Sequence, residues 1–252
     1  MKFKPSELTN LINASYQNEM LNIGKFKIDA SISDSRVKTY TIDNSNDIVV
    51  THRGSADTQD WVDNALYGGF NTLKLSRSYK LHLKKHKQAV KKYGSENIIV
   101  MGHSRGGLYA QQFYDDKRAK QLITYNKPVN TMDIAANLLK KKKNDENQTK
   151  IRTSNDAVSM GEALIKGEKT DVIIPSASYN PLKEHAPDRL NKIGDDKLIG
   201  TGIFKQKINF SKIKKEDLKQ FVKNNKKKLN LDINITGLTK KDLVKIVEKV
   251  YT

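Results

Sequence analysis

Residues 97–107 constrain the fold of this chain more than any other stretch. Asn97-Ile98-Ile99-Val100-Met101 is a short apolar run that reads as a buried strand, and Gly107 to Tyr114 carries a helical pattern. Only Gly102-His103-Ser104-Arg105-Gly106 lies between them. A strand that reverses into a helix over so few residues strains the backbone at the bend and brings two main chains close together, so the neighbouring positions need to lack side chains. Gly102, Gly106 and Gly107 meet that need. The helix also aims its first N–H groups at the bend, where they favour negative charge. Gly-x-Ser-x-Gly by itself is a weak signal, but a strand before it and a helix after it are the context of a nucleophile elbow, with Ser104 at its apex. The competing reading is a glycine-rich turn around an ordinary serine.

Other short apolar runs alternate with helical patterns between about Asp47 and Asp188. Asp47–Thr51, Gln121–Tyr125 and Lys150–Thr153 read as strands, and Val172-Ile173-Ile174 as a further one. Segment 72–93 reads as a helix with a very basic outer face, and another helix follows Pro128 and ends in Lys140–Lys143. Strands separated by helices predict an α/β fold with a mainly parallel sheet flanked by helices.

A serine attacks only when a base removes its proton and a third group orients that base. In α/β hydrolases the order along the chain is Ser, Asp or Glu, His. Of five histidines, only His185 lies well after Ser104, so elimination selects it as the base. His82 and His86, four apart on the basic helix, read as surface residues; the alternative is that they share a metal. Asp156, just after the strand at 150–153, is the candidate acid because a carboxylate at a strand's C-terminal end shares the elbow's edge of the sheet. Its rival Asp171 leads into a strand instead, and Asp156 could equally be a turn residue capping its own backbone.

His52-Arg53-Gly54-Ser55, followed by Asp60-Trp61 and Asp63-Asn64, resembles the F-R-G-S/T…W…D/N-L segment of class 3 (fungal-type) lipases. The Gly-x-Ser-x-Gly turn and the Asn155-Asp156-x-Val158 segment follow in that family's order. Tyr125-Asn126-Lys127-Pro128 is similar to a stretch that usually has Gly where Asn126 stands. The resemblance covers roughly residues 45–190 and implies an α/β-hydrolase fold, with a Ser104–Asp156–His185 triad that acts on lipid esters without cofactor or metal. It implies an oxyanion hole from Ser55 and the N–H of Arg105, and a structural ion pair for Arg53. It also implies a lid over 56–70 with Trp61 on its apolar face, although Trp61 could be a plain core residue. His52 departs from the family's Phe and makes the strand end more polar. The 29 residues from Asp156 to His185 are fewer than in the fungal enzymes, which implies a trimmed domain.

The chain has 252 residues, no cysteine and a net charge of +18 from 46 basic and 28 acidic side chains. Such a charge favours polyanionic partners, an anionic membrane surface or nucleic acid among them. From Lys205 onward the texture changes to 14 lysines against five acidic residues with two helical patterns, and Thr239 with Asp242 reads as a helix cap. A boundary is therefore expected between a hydrolase domain, 1–204, and a small basic helical C-terminal module, 205–252. That module is either a docked extension or a binder of nucleic acid or protein. No apolar run is long enough to span a bilayer, and the N-terminus has no secretory signal pattern, which predicts an intracellular chain or one carried in a viral particle. The second functional reading is a nucleic-acid or scaffold-binding protein with an inactive hydrolase domain.

Overall fold

Alternation along the strands decides which side of the central sheet each residue faces. In the computed structural model, which describes residues 1–55, 73–128, 146–154, 156, 158–159, 171–176, 181–200, 215, 219, 222 and 237–251, Ile98 and Val100 pack on one face while Ile99 and Met101 pack on the other. The strands are β1 (Lys2–Phe3), β2 (Phe26–Ile28), β3 (Val37–Ile42), β4 (Ser45–His52), β5 (Ile98–His103), β6 (Gln121–Tyr125), β7 (Gln148–Thr153), β8 (Val172–Ile174) and β9 (Ile199–Gly200). The helices are α1 (Pro5–Ser15), α2 (Arg77–Tyr93), α3 (Arg105–Asp115), α4 (Pro181–His185) and α5 (Lys240–Tyr251). By contacts the chain divides into two compact units, Met1–Lys205 and Gln206–Thr252.

Strands β2 to β8 form one seven-stranded sheet in sequential order. Every pairing from β4 to β8 is parallel, and β2 and β3 add an antiparallel edge, so the sheet is mainly parallel, as expected. Leu8, Leu11 and Ile12 of α1 cover one face together with Leu190 and Ile193. Ala89 of α2 and Ala110 of α3 cover the other. The N-terminal helix and the antiparallel strands go beyond what the sequence patterns predicted. In the second unit, α5 starts at the expected cap, where the Asp242 carboxylate accepts from the Thr239 N–H at 2.9 Å and the Asp242 N–H donates back to the Thr239 hydroxyl at 3.2 Å. The helix expected over 128–143 lies outside the described residues. Among the described residues no helix is long and apolar enough to cross a membrane.

The elbow is held by backbone against backbone. A Cβ on Gly102 would overlap the Gly106 carbonyl, and one on Gly106 would overlap the carbonyl oxygen of His52. Helix α3 therefore sits directly on the ends of β4 and β5, closer than any side chain permits.

His82 and His86 are buried, which corrects the expectation of surface residues. His82 Nδ1 lies 3.1 Å from His52 Nδ1, and His86 Nδ1 lies 3.2 Å from His52 Nε2. The two therefore address opposite nitrogens of His52 and do not converge on one metal. The direction of the chain follows from its end: a carbonyl only accepts, so His86 Nε2–H donates to the Arg118 carbonyl at 3.1 Å. His86 Nδ1 must then accept from His52 Nε2–H, and His52 Nδ1 from His82 Nδ1–H. Three neutral imidazoles thus tie α2 to β4, and their rings pack against Phe113 and Tyr109 of α3 at 4.5–5.0 Å between centroids.

Burial pushes the His82 pKa down to about 3 and that of His86 to about 4, and drives His52 well below 6.5. Around His82, the nearby Asp34 opposes this shift, whereas Arg36, Arg53 and Arg105 add to it. The cluster's contribution to stability should be fully present above pH 6.5, the ordinary imidazole value, and be lost as the pH falls towards these depressed values, because the unfolded chain takes up the protons first. Each imidazole should cost roughly 1.4 kcal/mol per pH unit across that window. Denaturant midpoints measured between pH 7.5 and pH 5 test this, and the joint variant His52→Phe/His82→Leu/His86→Leu, which leaves no orphaned donor, should flatten the profile. Gly106→Ala should destabilise the fold by about 3 kcal/mol, since rigid backbone must move. Gly24→Ala, with nothing within 4 Å of the new Cβ and φ of 54°, should cost only about 1 kcal/mol in the same assay.

Candidate active site

Ser104 stands between β5 and α3 with φ 53° and ψ −132°, a conformation that L-residues rarely adopt. Its N–H donates to the Tyr125 carbonyl at 3.0 Å, anchoring the bend to β6. Gly54 lies against it: a Cβ there would come within 2.8 Å of Ser104 Cβ and 2.6 Å of the Tyr16 hydroxyl. The Arg53-Gly54-Ser55 segment thus passes beside the elbow, with Ser55 the next residue along. Arg105 is the first residue of α3, and its guanidinium lies over the Tyr109 ring, 5.6 Å from the centroid.

Asp156 and His185, 29 residues apart, meet. Asp156 is fully buried, and its Oδ1 accepts from His185 Nδ1 at 2.9 Å. A carboxylate has no proton to give, so Nδ1 carries the hydrogen, and in the neutral ring Nε2 bears the lone pair. The N–H groups of Val158 and Ser159 donate to the same carboxylate at 3.2 and 3.0 Å. Burial alone would raise the Asp156 pKa, but the His185 contact, with help from Ser159 and Val158, outweighs it and holds the group below its ordinary range.

His185 is tethered to the elbow through its backbone. Its carbonyl accepts from His103 Nε2 at 2.8 Å, and the two rings lie 4.7 Å apart. It also accepts from Asn126 Nδ2 at 3.2 Å, while Asn126 Oδ1 accepts from the Thr153 N–H at 2.7 Å. Asn126 has φ of 46°, which explains why glycine suits this position and why asparagine is tolerated there. Its side chain links the ends of β6 and β7 to the His185 segment. Glu184, fully buried, is gripped by Arg189 through contacts of 2.8–3.1 Å, which fixes the same segment from the other side.

His103 reaches the N-terminal region as well. Its Nε2–H is committed to the His185 carbonyl, so Nδ1 must accept, and it does so from the Tyr16 hydroxyl at 2.7 Å. The Tyr16 oxygen in turn accepts from the Gly54 N–H at 2.9 Å. One chain of hydrogen bonds therefore runs from Gly54 through Tyr16 and His103 to the backbone of His185. Burial pushes the His103 pKa down to about 3 and the Tyr16 pKa up to about 12, which keeps both groups neutral.

The residues singled out from sequence thus fall into two groups. Ser104 and Arg105, Ser55 beside them, and the Asp156–His185 pair belong to one edge of the sheet, at the C-terminal ends of β4 to β7. Trp61 and the lid segment 56–70 lie outside the described residues. Tyr16, Asn126, His103 and the Glu184–Arg189 pair were not singled out for positioning. Only Asn126 carried a signal, as a residue standing where glycine is usual.

No family model matches the sequence, and no curated protein does. Among solved structures the chain is similar to the Lip2 lipase from Yarrowia lipolytica, at 14% identity over 78% of this chain and 82% of that one, with a TM-score of 0.44. It is also similar to a triacylglycerol lipase from Penicillium expansum, at 16% identity over 79% of this chain and 89% of that one, with a TM-score of 0.36.

Proposed function

We propose that the chain is a serine ester hydrolase acting on lipids. The Ser104 hydroxyl adds to the ester carbonyl while His185 Nε2 takes its proton. Asp156 keeps the ring in the required tautomer and stabilises the imidazolium. The N–H groups of Ser55 and Arg105 receive the oxyanion, where one such donor contributes about 3–4 kcal/mol to lowering the barrier. Collapse expels the alcohol with the proton from His185. Water then attacks the acyl-enzyme with the same base, releasing the acid and restoring Ser104.

The observation that carries this reading is the buried Asp156–His185 pair, 2.9 Å apart, whose histidine is bound through its carbonyl to the residue preceding the strained serine. A lipid substrate is favoured by the resemblance of the His52–Ser55 segment and the elbow to class 3 lipases.

Ser104→Ala should lower turnover of a short p-nitrophenyl ester at least about 10³-fold with an unchanged circular dichroism spectrum. Undiminished turnover refutes the assignment. Asp156→Asn should cost roughly 10⁴-fold in kcat by favouring the wrong tautomer. A panel of glycerides, phospholipids and soluble esters assigns the substrate class, and a lipid substrate is expected to be hydrolysed faster than the soluble esters.

Tyr16→Phe removes the acceptor for Gly54 and the donor to His103 without touching a reacting atom. It should lower kcat about tenfold, the cost of one orphaned buried donor, and leave KM for the soluble ester within about twofold. A change confined to KM or to thermal stability would exclude a positioning role.

A further inference from the structure

The outer face of α2 carries five cations in single file: Arg77, Lys80, Lys84, Lys87 and Lys91. All five are exposed, and the alternating spacing of three and four keeps them on one narrow row about 21 Å long. The helix is locked in this rotation because Tyr79, His82, His86 and Ala89 are buried on the opposite side, with His82 and His86 bonded into the histidine chain. The structure therefore fixes outward a row that the sequence shows only as a basic helix.

Within the helix the row is uncompensated. No acidic residue occurs between Arg77 and Tyr93, and like charges three or four apart on a helix repel. Two other lysines of α2 are engaged: Lys92 with Asp29 at 2.6 Å, and Lys85 with the Ser33 carbonyl at 3.4 Å. Among the described residues no carboxylate pairs with the five in the row. At the start of the row Ser78, next to Arg77, meets the Tyr109 hydroxyl of α3 at 3.1 Å, and the Arg105 guanidinium lies over the same ring.

We propose that this row is the face by which the protein docks on an anionic lipid bilayer, a partner that rests on the reading of the site as a lipid ester hydrolase. A straight file of mostly lysine point charges suits a plane of headgroup phosphates. A single-stranded nucleic-acid site would interleave aromatic side chains for base stacking, and none occurs in the row. Each lysine near an anionic surface raises partition about fivefold, so five should act together steeply.

The test uses full-length protein in a Ser104→Ala background, which separates binding from turnover, and measures co-sedimentation with phosphatidylcholine vesicles with and without one-third phosphatidylglycerol. Binding is expected only to the anionic vesicles and should be lost at high salt. Replacing all five residues by Gln should weaken it at least about 100-fold while the same replacement in active protein leaves soluble-ester turnover unchanged. Replacing Lys212, Lys214, Lys223, Lys226 and Lys227 by Gln, which removes the same charge, should weaken it less than fivefold. The proposal is overturned if the α2 variant binds anionic vesicles like the parent, or if the second variant loses as much. It is also overturned if the parent binds duplex DNA of equal phosphate concentration more tightly than the vesicles and the α2 variant loses that binding instead.

Discussion

The contact on which the rest depends is the close approach of the α3 backbone to the ends of β4 and β5. Gly106 rests on the His52 carbonyl and Gly102 on Gly106, so the helix start is pressed against two adjacent strands at once. That proximity bends the chain at Ser104 into its strained conformation, and it brings the Arg53–Ser55 segment alongside. A strained residue persists only where its surroundings over-determine it, and here both strands, β6 and the helix all do so.

Around this bend the protein uses its histidines as structure. All five are buried, an unusual use of a residue that titrates near neutrality. Three form a directed chain that clamps α2 to β4 and to the Arg118 carbonyl just past α3. The other two lie against one another beside the elbow, one bound to Tyr16 and the other to Asp156. His185 differs from the others in being bonded to a carboxylate, which fixes its proton on Nδ1. In the other four, burial disfavours the charged form and leaves neutral hydrogen-bonding rings.

Much of this was legible in the sequence where the signal was local. The apolar run, the three glycines and the helical pattern after them determined the elbow, because short-range sterics dictate it. The alternation of strands and helices determined a mainly parallel α/β sheet, and chain order with elimination pointed to Asp156 and His185. The Thr239–Asp242 cap was visible because its groups are three residues apart.

What only the tertiary structure decided involves partners distant in sequence. Tyr16 meets His103 across 87 positions, and no periodicity foretells it. Strand β3 hides its character because buried Lys38, whose amine is satisfied by the Glu19 carbonyl at 3.0 Å, breaks the apolar pattern. His82 and His86 look like surface residues among lysines until His52 and Arg118 supply the acceptors that let imidazoles be buried. Sequence specifies which hydrogen-bonding groups exist, whereas packing alone determines which of them lose water and must find one another.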